Sequence, residues 1–152
     1  VRTLTENYHK ARTKFTSGNT TLDELLRIKR IDAENNNAEI IFSGVFPEHI
    51  KIKDNDLHTV FSNAIDNALK NCRGTEKQNK IRINSKIIED SVVVTVLSMR
   101  GSQNKFGLFS SGSDFSRLRK LIIESTVRAY DGAMKWEIDD STWKLIFSMK
   151  YK

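Results

Sequence analysis

DNDLHTVFSNAIDNALKNC, residues Asp54 to Cys72, is the stretch on which the chain turns. Leu57, Val60, Phe61, Ala64, Ile65, Ala68, Leu69 and Cys72 recur at the spacing of one apolar helix face. Asn63, Asp66, Asn67 and Lys70 fall at i, i+3, i+4 and i+7 and form a second line along the same helix. A plain solvated face is usually built from Lys, Glu and Gln. Asn and Asp are poor helix formers, because their side chains compete for the backbone. A binding site is the usual reason to accept that cost. A polar face without a ligand is the competing reading, and spacing alone does not separate the two.

The line carries a definite chemistry. An Asn amide oxygen can ligate Mg²⁺, and its NH₂ can donate to a phosphate oxygen. Asp66 can order a water. Lys70, one turn beyond Asn67, offers a mobile positive charge to a phosphate.

Asn63-Ala64-Ile65-Asp66-Asn67-Ala68-Leu69-Lys70 resembles the N-box of the GHKL ATPases (gyrase, the heat-shock chaperone, histidine kinases and MutL). The pattern N-x-x-D-N-A-x-K is most similar to that of sensor histidine kinases. Upstream, Ser17-Gly18-Asn19, Leu22-Asp23, Leu25-Leu26, Lys29, Pro47 and Asp56-Leu57 look like the catalytic domain of Gram-positive peptide-pheromone (quorum-sensing) receptor kinases. The resemblance implies ATP and Mg²⁺ as cofactors. It gives Asn63 a catalytic place at the triphosphate, Asn67 the metal, Lys70 a phosphate, and Asp66 a place in the same nucleotide site. It also implies a Bergerat-type ATP-binding fold over residues 17–152, with residues 1–16 a linker helix from an upstream dimerisation and phosphoacceptor-histidine region. By the same resemblance the partners are ATP, that upstream helix domain and a cognate response regulator. The whole protein would be a homodimer, and this part of it the cytoplasmic domain of a membrane-anchored bacterial receptor that touches the membrane only through upstream segments.

The chain's length of 152 residues is that of one domain and is enough to bury a core. Apolar residues make up 38% and charged residues 29%, an ordinary water-facing balance, and no run approaches a membrane span. A lone cysteine, Cys72, excludes an internal disulfide, and its place on the apolar stripe reads as packing rather than reactivity. The net charge of +6 raises nucleic acid, an anionic membrane or a phosphorylated ligand. The charges are scattered, with clusters only at Arg117-Leu118-Arg119-Lys120 and at Lys10, Arg12 and Lys14, and no nucleic-acid motif appears. Nucleic acid is therefore not an expected partner; a basic nucleic-acid module would be recognised by binding that falls steeply with salt.

Working outward, Leu4, Tyr8, Ala11 and Phe15 make a stripe for the linker helix, and Ser17-Gly18-Asn19 breaks it. Thr20 or Thr21 is the expected cap of the next helix, with Leu22, Leu25, Leu26, Ile28, Lys29 and Ala33 inward and Asn35-Asn36-Asn37 at its end. Residues 38–44 and 49–53 read as two strands around Pro47. His9, His49 and His58 stand alone, so none is expected to be a ligand or phosphoacceptor. Lys80 to Ile88 alternates, and Val92 to Leu97 is a continuous apolar strand expected at the sheet centre. Residues 99–116 read as a long Ser- and Gly-rich lid. A helix capped by Ser113 or Asp114 then runs to Tyr130, with Phe115, Leu118, Leu121, Ile122, Ser125 and Ala129 inward. Two alternating strands form a closing hairpin across residues 139–142. The order predicts an α/β (α+β) two-layer sandwich, a mixed sheet with helices on one face.

In two places the chain departs from the family pattern. Where the family has D-x-G-x-G, with an Asp for adenine, this chain has Ser98-Met99-Arg100-Gly101-Ser102, and only Gly101 survives. Where the family opens its last long helix on G-x-G-L, this chain has Arg117-Leu118-Arg119-Lys120. Two expectations follow beside nucleic acid. Either Arg117, Arg119 and Lys120 hold phosphates by side chain and the domain uses ATP, or the domain is a degenerate one that relays signals through protein contacts.

Overall fold

The computed structural model describes residues 14–74, 77–101 and 113–152, leaving aside the side chains of 113 and 114. Most of the linker helix (1–13), the lid residues 102–112 and both expected cap side chains of the last helix lie outside that set.

The elements are α1 (Thr20–Asn35), β1 (Ala38–Gly44), α2 (Asp54–Asn71), β2 (Asn79–Ile88), β3 (Ser91–Met99), α3 (Ser113–Ala129), β4 (Met134–Ile138) and β5 (Thr142–Lys150). The five strands make one sheet in the order β1-β2-β3-β5-β4. β1 runs parallel to β2, as a crossover through α2 requires, and the other pairs are antiparallel. The fold is thus the mixed α+β sandwich that the order of elements predicted.

α2 holds the core together. Every residue of its predicted stripe, from Leu57 to Cys72, is buried, and Phe61 packs edge-on against Phe46 and Phe147. β3 lies at the sheet centre as predicted, with Val92, Val94 and Val96 turned into the core. Val93, Thr95 and Leu97 are half-buried on the opposite face, because the helices cover one side of the sheet only. The hairpin is stopped by Asp139, whose carboxylate accepts from the backbone N–H of Ser141 and Thr142 and from both their hydroxyls. Those donors hold its carboxyl down at about 2. No helix among the described residues is long and apolar enough to cross a membrane.

Four local expectations are corrected. Residues 49–53 form no strand, so the sheet has five strands among the described residues rather than six. The one backbone hydrogen bond from within that segment to a strand region, Lys51 N to Tyr151 O, is isolated and does not make a ladder, and just before the segment Phe46 N donates to Ser17 O. Ile52 within it and Phe46 just before it are buried as plugs. The cap of α1 is Asn19, not Thr20 or Thr21. Asn19 Oδ1 accepts from Leu22 N, while its Nδ2 donates to Pro47 O at 2.9 Å, a second bond that Thr is too short to make. Ile28 is exposed rather than inward.

The fourth correction concerns α3. Its buried residues are Ile123 and Val127; Phe115, Leu118 and Leu121 are exposed by 66%, 52% and 57%, and Ser125 and Ala129 are exposed too. Periodicity finds an apolar stripe but not what covers it. Here the first turns of α3 meet the polar side of α2, so the stripe starting at Phe115 cannot also face inward. α3 ends in a Schellman pattern: Gly132 N donates to Val127 O and Asp131 N to Arg128 O. Asp131, not Gly132, takes the left-handed conformation, with φ of 50°. Gly132 is needed for another reason, since a Cβ there would lie 1.8 Å from Ser148 O.

Candidate functional site

An open cavity of about 420 Å³ lies where three helices meet. The end of α1 gives Asp32 and the adjoining Asn36, α2 gives Asp66 and Lys70 and the turn after it Arg73, and the start of α3 gives Phe115 and Arg119. Asp66 and Lys70 stand on successive turns of α2, and Arg73, in the turn just past its C-cap Cys72, carries the line one step farther.

The charges are organised by a residue just behind the wall. Lys29, whose side chain is 13% exposed, donates to Asp66 Oδ1 at 2.9 Å and to Asp32 Oδ2 at 3.4 Å. Both acidic groups of the cavity are therefore engaged by one ammonium. Lys70, Arg73 and Arg119 are the cations of the wall. The balance favours an anionic occupant.

Asn67 is 1% exposed. Its Oδ1 accepts from Arg119 Nη1 at 3.4 Å, and its Nδ2 is buried with no hydrogen-bond partner among the described residues. Such an orphan donor typically costs ~1–3 kcal/mol. Lys70 Nζ donates to Ser116 Oγ at 3.1 Å, a second tie between α2 and α3. Asn63 is half-buried a turn earlier and lies outside the cavity wall; its Nδ2 donates back to Thr59 O at 2.7 Å.

The structure thus brings Asp66, Lys70 and Arg119 to one cavity with Asn67 touching Arg119, and leaves Asn63 a turn away. Arg117 is exposed and does not line the cavity. Lys120 turns to the sheet side, 4.8 Å from the centre of the Trp136 ring, where burial pulls its ammonium below the ordinary value. Gly101 sits at the far end of α2: its N–H donates to Asn71 O at 2.7 Å, and a Cβ there would lie 1.7 Å from Arg73 O. Cys72 is buried, donates to Leu69 O, and burial pushes its thiol up, in line with a packing role.

Sequence reasoning missed Arg73, Asp32 and the part played by Lys29. Arg73 was within reach, since it extends the Asp66–Lys70 line by one turn. Asp32 and Lys29 were not, because only the packing of α1 on α2 brings them to Asp66.

A family model described as a GHKL domain matches residues 52–149, from just before α2 through β5. No curated protein sequence matches the chain. Among solved structures, the catalytic domain of histidine kinase ThkA superposes with a TM-score of 0.65 at 18% identity, over 91% of this chain and 96% of that one. The histidine kinase AdeS of Acinetobacter baumannii superposes with a TM-score of 0.59 at 13% identity, over 87% of this chain. This chain spans 64% of the AdeS chain. At such identities the superpositions show a shared fold. The family match takes in α2, the whole sheet except β1, and α3, so the chain belongs to the GHKL domain family.

Proposed function

We propose that this chain is the ATP-binding catalytic domain of a two-component sensor histidine kinase of the Gram-positive peptide-pheromone type. Residues 17–152 form the nucleotide domain, and residues 1–16 link it to an upstream dimerisation and phosphoacceptor region. In this reading it is the cytoplasmic part of a membrane-anchored, homodimeric bacterial receptor. The γ-phosphoryl group of ATP passes to an imidazole nitrogen of the upstream histidine, ADP leaves, and the phosphoryl group then goes to a response regulator.

One observation carries the proposal: the buried Asn67 amide with an orphan Nδ2, set beside a cavity whose carboxylates are held by Lys29 and whose other charges are positive. A GHKL helix that leaves a donor unmet at that point is built to meet a ligand oxygen. Lys70 and Arg119 take phosphate oxygens, Asp66 orders a water in the site, and Asn63 supports the triphosphate from the preceding turn. Gly101 lets the end of β3 close against α2, and Arg117 adds positive field at the rim. Mg²⁺ is the ion that the resemblance assigns to Asn67. As arranged, the donors do not fit it: Asn67 Oδ1 accepts from a guanidinium, Asp66 from an ammonium, and no group of three His, Cys, Asp or Glu stands together among the described residues. No step here runs through the metal. Isothermal titration of the chain with ATP tests the proposal: saturable binding in the micromolar to low millimolar range is expected, and no heat up to several millimolar ATP refutes it.

The degenerate, signal-relaying domain is the second reading. It is favoured by the Arg119–Asn67 contact and by the lack of an Asp in Ser98-Met99-Arg100-Gly101. Failure of the titration selects it.

A further inference from the structure

We infer that this site takes its nucleoside triphosphate without needing a divalent cation, because the guanidinium of Arg119 already stands at the oxygen a metal would use. The inference rests on the ATP-binding reading and concerns how the charge of the ligand is met.

Three features of the cavity point the same way. The amide oxygen of Asn67 accepts from Arg119 Nη1, so a cation is in place beside the buried end of the polar line before any ligand arrives. A divalent ion at that oxygen would have to displace the guanidinium and then sit close to it, like charge against like. Next, the two carboxylates of the wall are taken up by Lys29, at 2.9 Å and 3.4 Å. They are poor partners for the hydration shell of a metal while that ammonium holds them. Finally, Lys70, Arg73 and Arg119 stand on the same wall. Arginine suits phosphate because its planar fork offers parallel donors, and it keeps its charge in any setting.

The consequence is opposite to that of a metal-dependent site. Free ATP carries more negative charge than its Mg²⁺ complex, so it meets the three cations with the greater attraction. Metal-free ATP binds at least as tightly as the complex. The orphan Nδ2 of Asn67 then donates to a phosphate oxygen next to the one held by Arg119, and the Asn67–Arg119 pair acts as a unit.

The test is isothermal titration of the chain with ATP at constant ionic strength, once in Mg²⁺ and once in EDTA, on wild type, Arg119→Gln and Arg119→Lys. Circular dichroism verifies the fold of each. Wild type should bind at least as tightly in EDTA as in Mg²⁺. Arg119→Gln should lose about tenfold or more in EDTA, with Arg119→Lys intermediate. Wild-type binding that weakens by more than about threefold in EDTA overturns the inference and leaves the ATP reading standing. Unchanged affinity of Arg119→Gln in EDTA also overturns it. No binding by wild type in either buffer refutes the ATP reading, and this inference with it.

Discussion

Lys29 on α1 lies 2.9 Å from Asp66 on α2, with the lysine side chain 13% exposed and the carboxylate side chain 35%. The pair joins the two helices at the back of the cavity and fixes the sign of its field. Replacing Lys29 by Met leaves Asp66 and Asp32 without their ammonium in a half-buried place. The expected loss is ~1–2 kcal/mol, below the ~3–5 kcal/mol of a fully buried pair because Asp66 keeps access to water. Urea denaturation measures it. Lys29→Arg should recover most of the loss, and a Lys29→Met protein as stable as wild type would show the pair to be ornamental.

Asn67 separates stability from binding. Its Nδ2 lacks a partner among the described residues, so Asn67→Leu removes an unmet donor and adds apolar volume at a buried position. The thermal midpoint should stay level or rise, by up to ~1 kcal/mol of added stability, while ATP affinity drops at least about tenfold. A fall in the midpoint with affinity retained would mean that Asn67 is a structural residue.

The end of α3 offers a paired test. Asp131 has φ of 50°, and Gly132 has backbone oxygen where a Cβ would stand. Asp131→Gly should be neutral or stabilise by up to ~1 kcal/mol, since glycine adopts that φ freely. Gly132→Ala should cost more than ~2 kcal/mol, because the Ser148 carbonyl must move in a paired strand. The reverse order in thermal melts would disprove the assignment of roles.

Asp139 makes the hairpin sensitive to acid. Its carboxyl titrates at about 2 in the fold against an ordinary 3.8, owing to the donors of Ser141 and Thr142. A depressed value means that the fold favours the charged form. The contribution is complete above the unfolded value and disappears as pH falls through about 2. The thermal midpoint of Asp139→Ala should lie below that of wild type at pH 6, and the gap should close as both are taken toward pH 2. A gap that stays constant over that range would place the role of Asp139 elsewhere.

The amino-acid sequence determined α2, both of its lines and the position of β3 at the sheet centre. A 3.6-residue period over Leu57–Cys72 admits one buried face, and an unbroken Val-rich strand belongs in the middle of a sheet. It also determined the closing hairpin and the two-layer order of elements. The tertiary structure alone decided which stripe of α3 is covered, because Phe115, Leu118 and Leu121 repeat as regularly as a core face yet stand more than half exposed. It decided that residues 49–53 form no strand and bury only Ile52, since alternation does not say whether a partner edge is in reach. It also decided the charge of the cavity. Lys29 and Asp66 are 37 residues apart, and Arg119 and Asn67 are 52 apart. Such distances leave no periodic trace, because they are set by how helices cross over the sheet and not by spacing along any one of them.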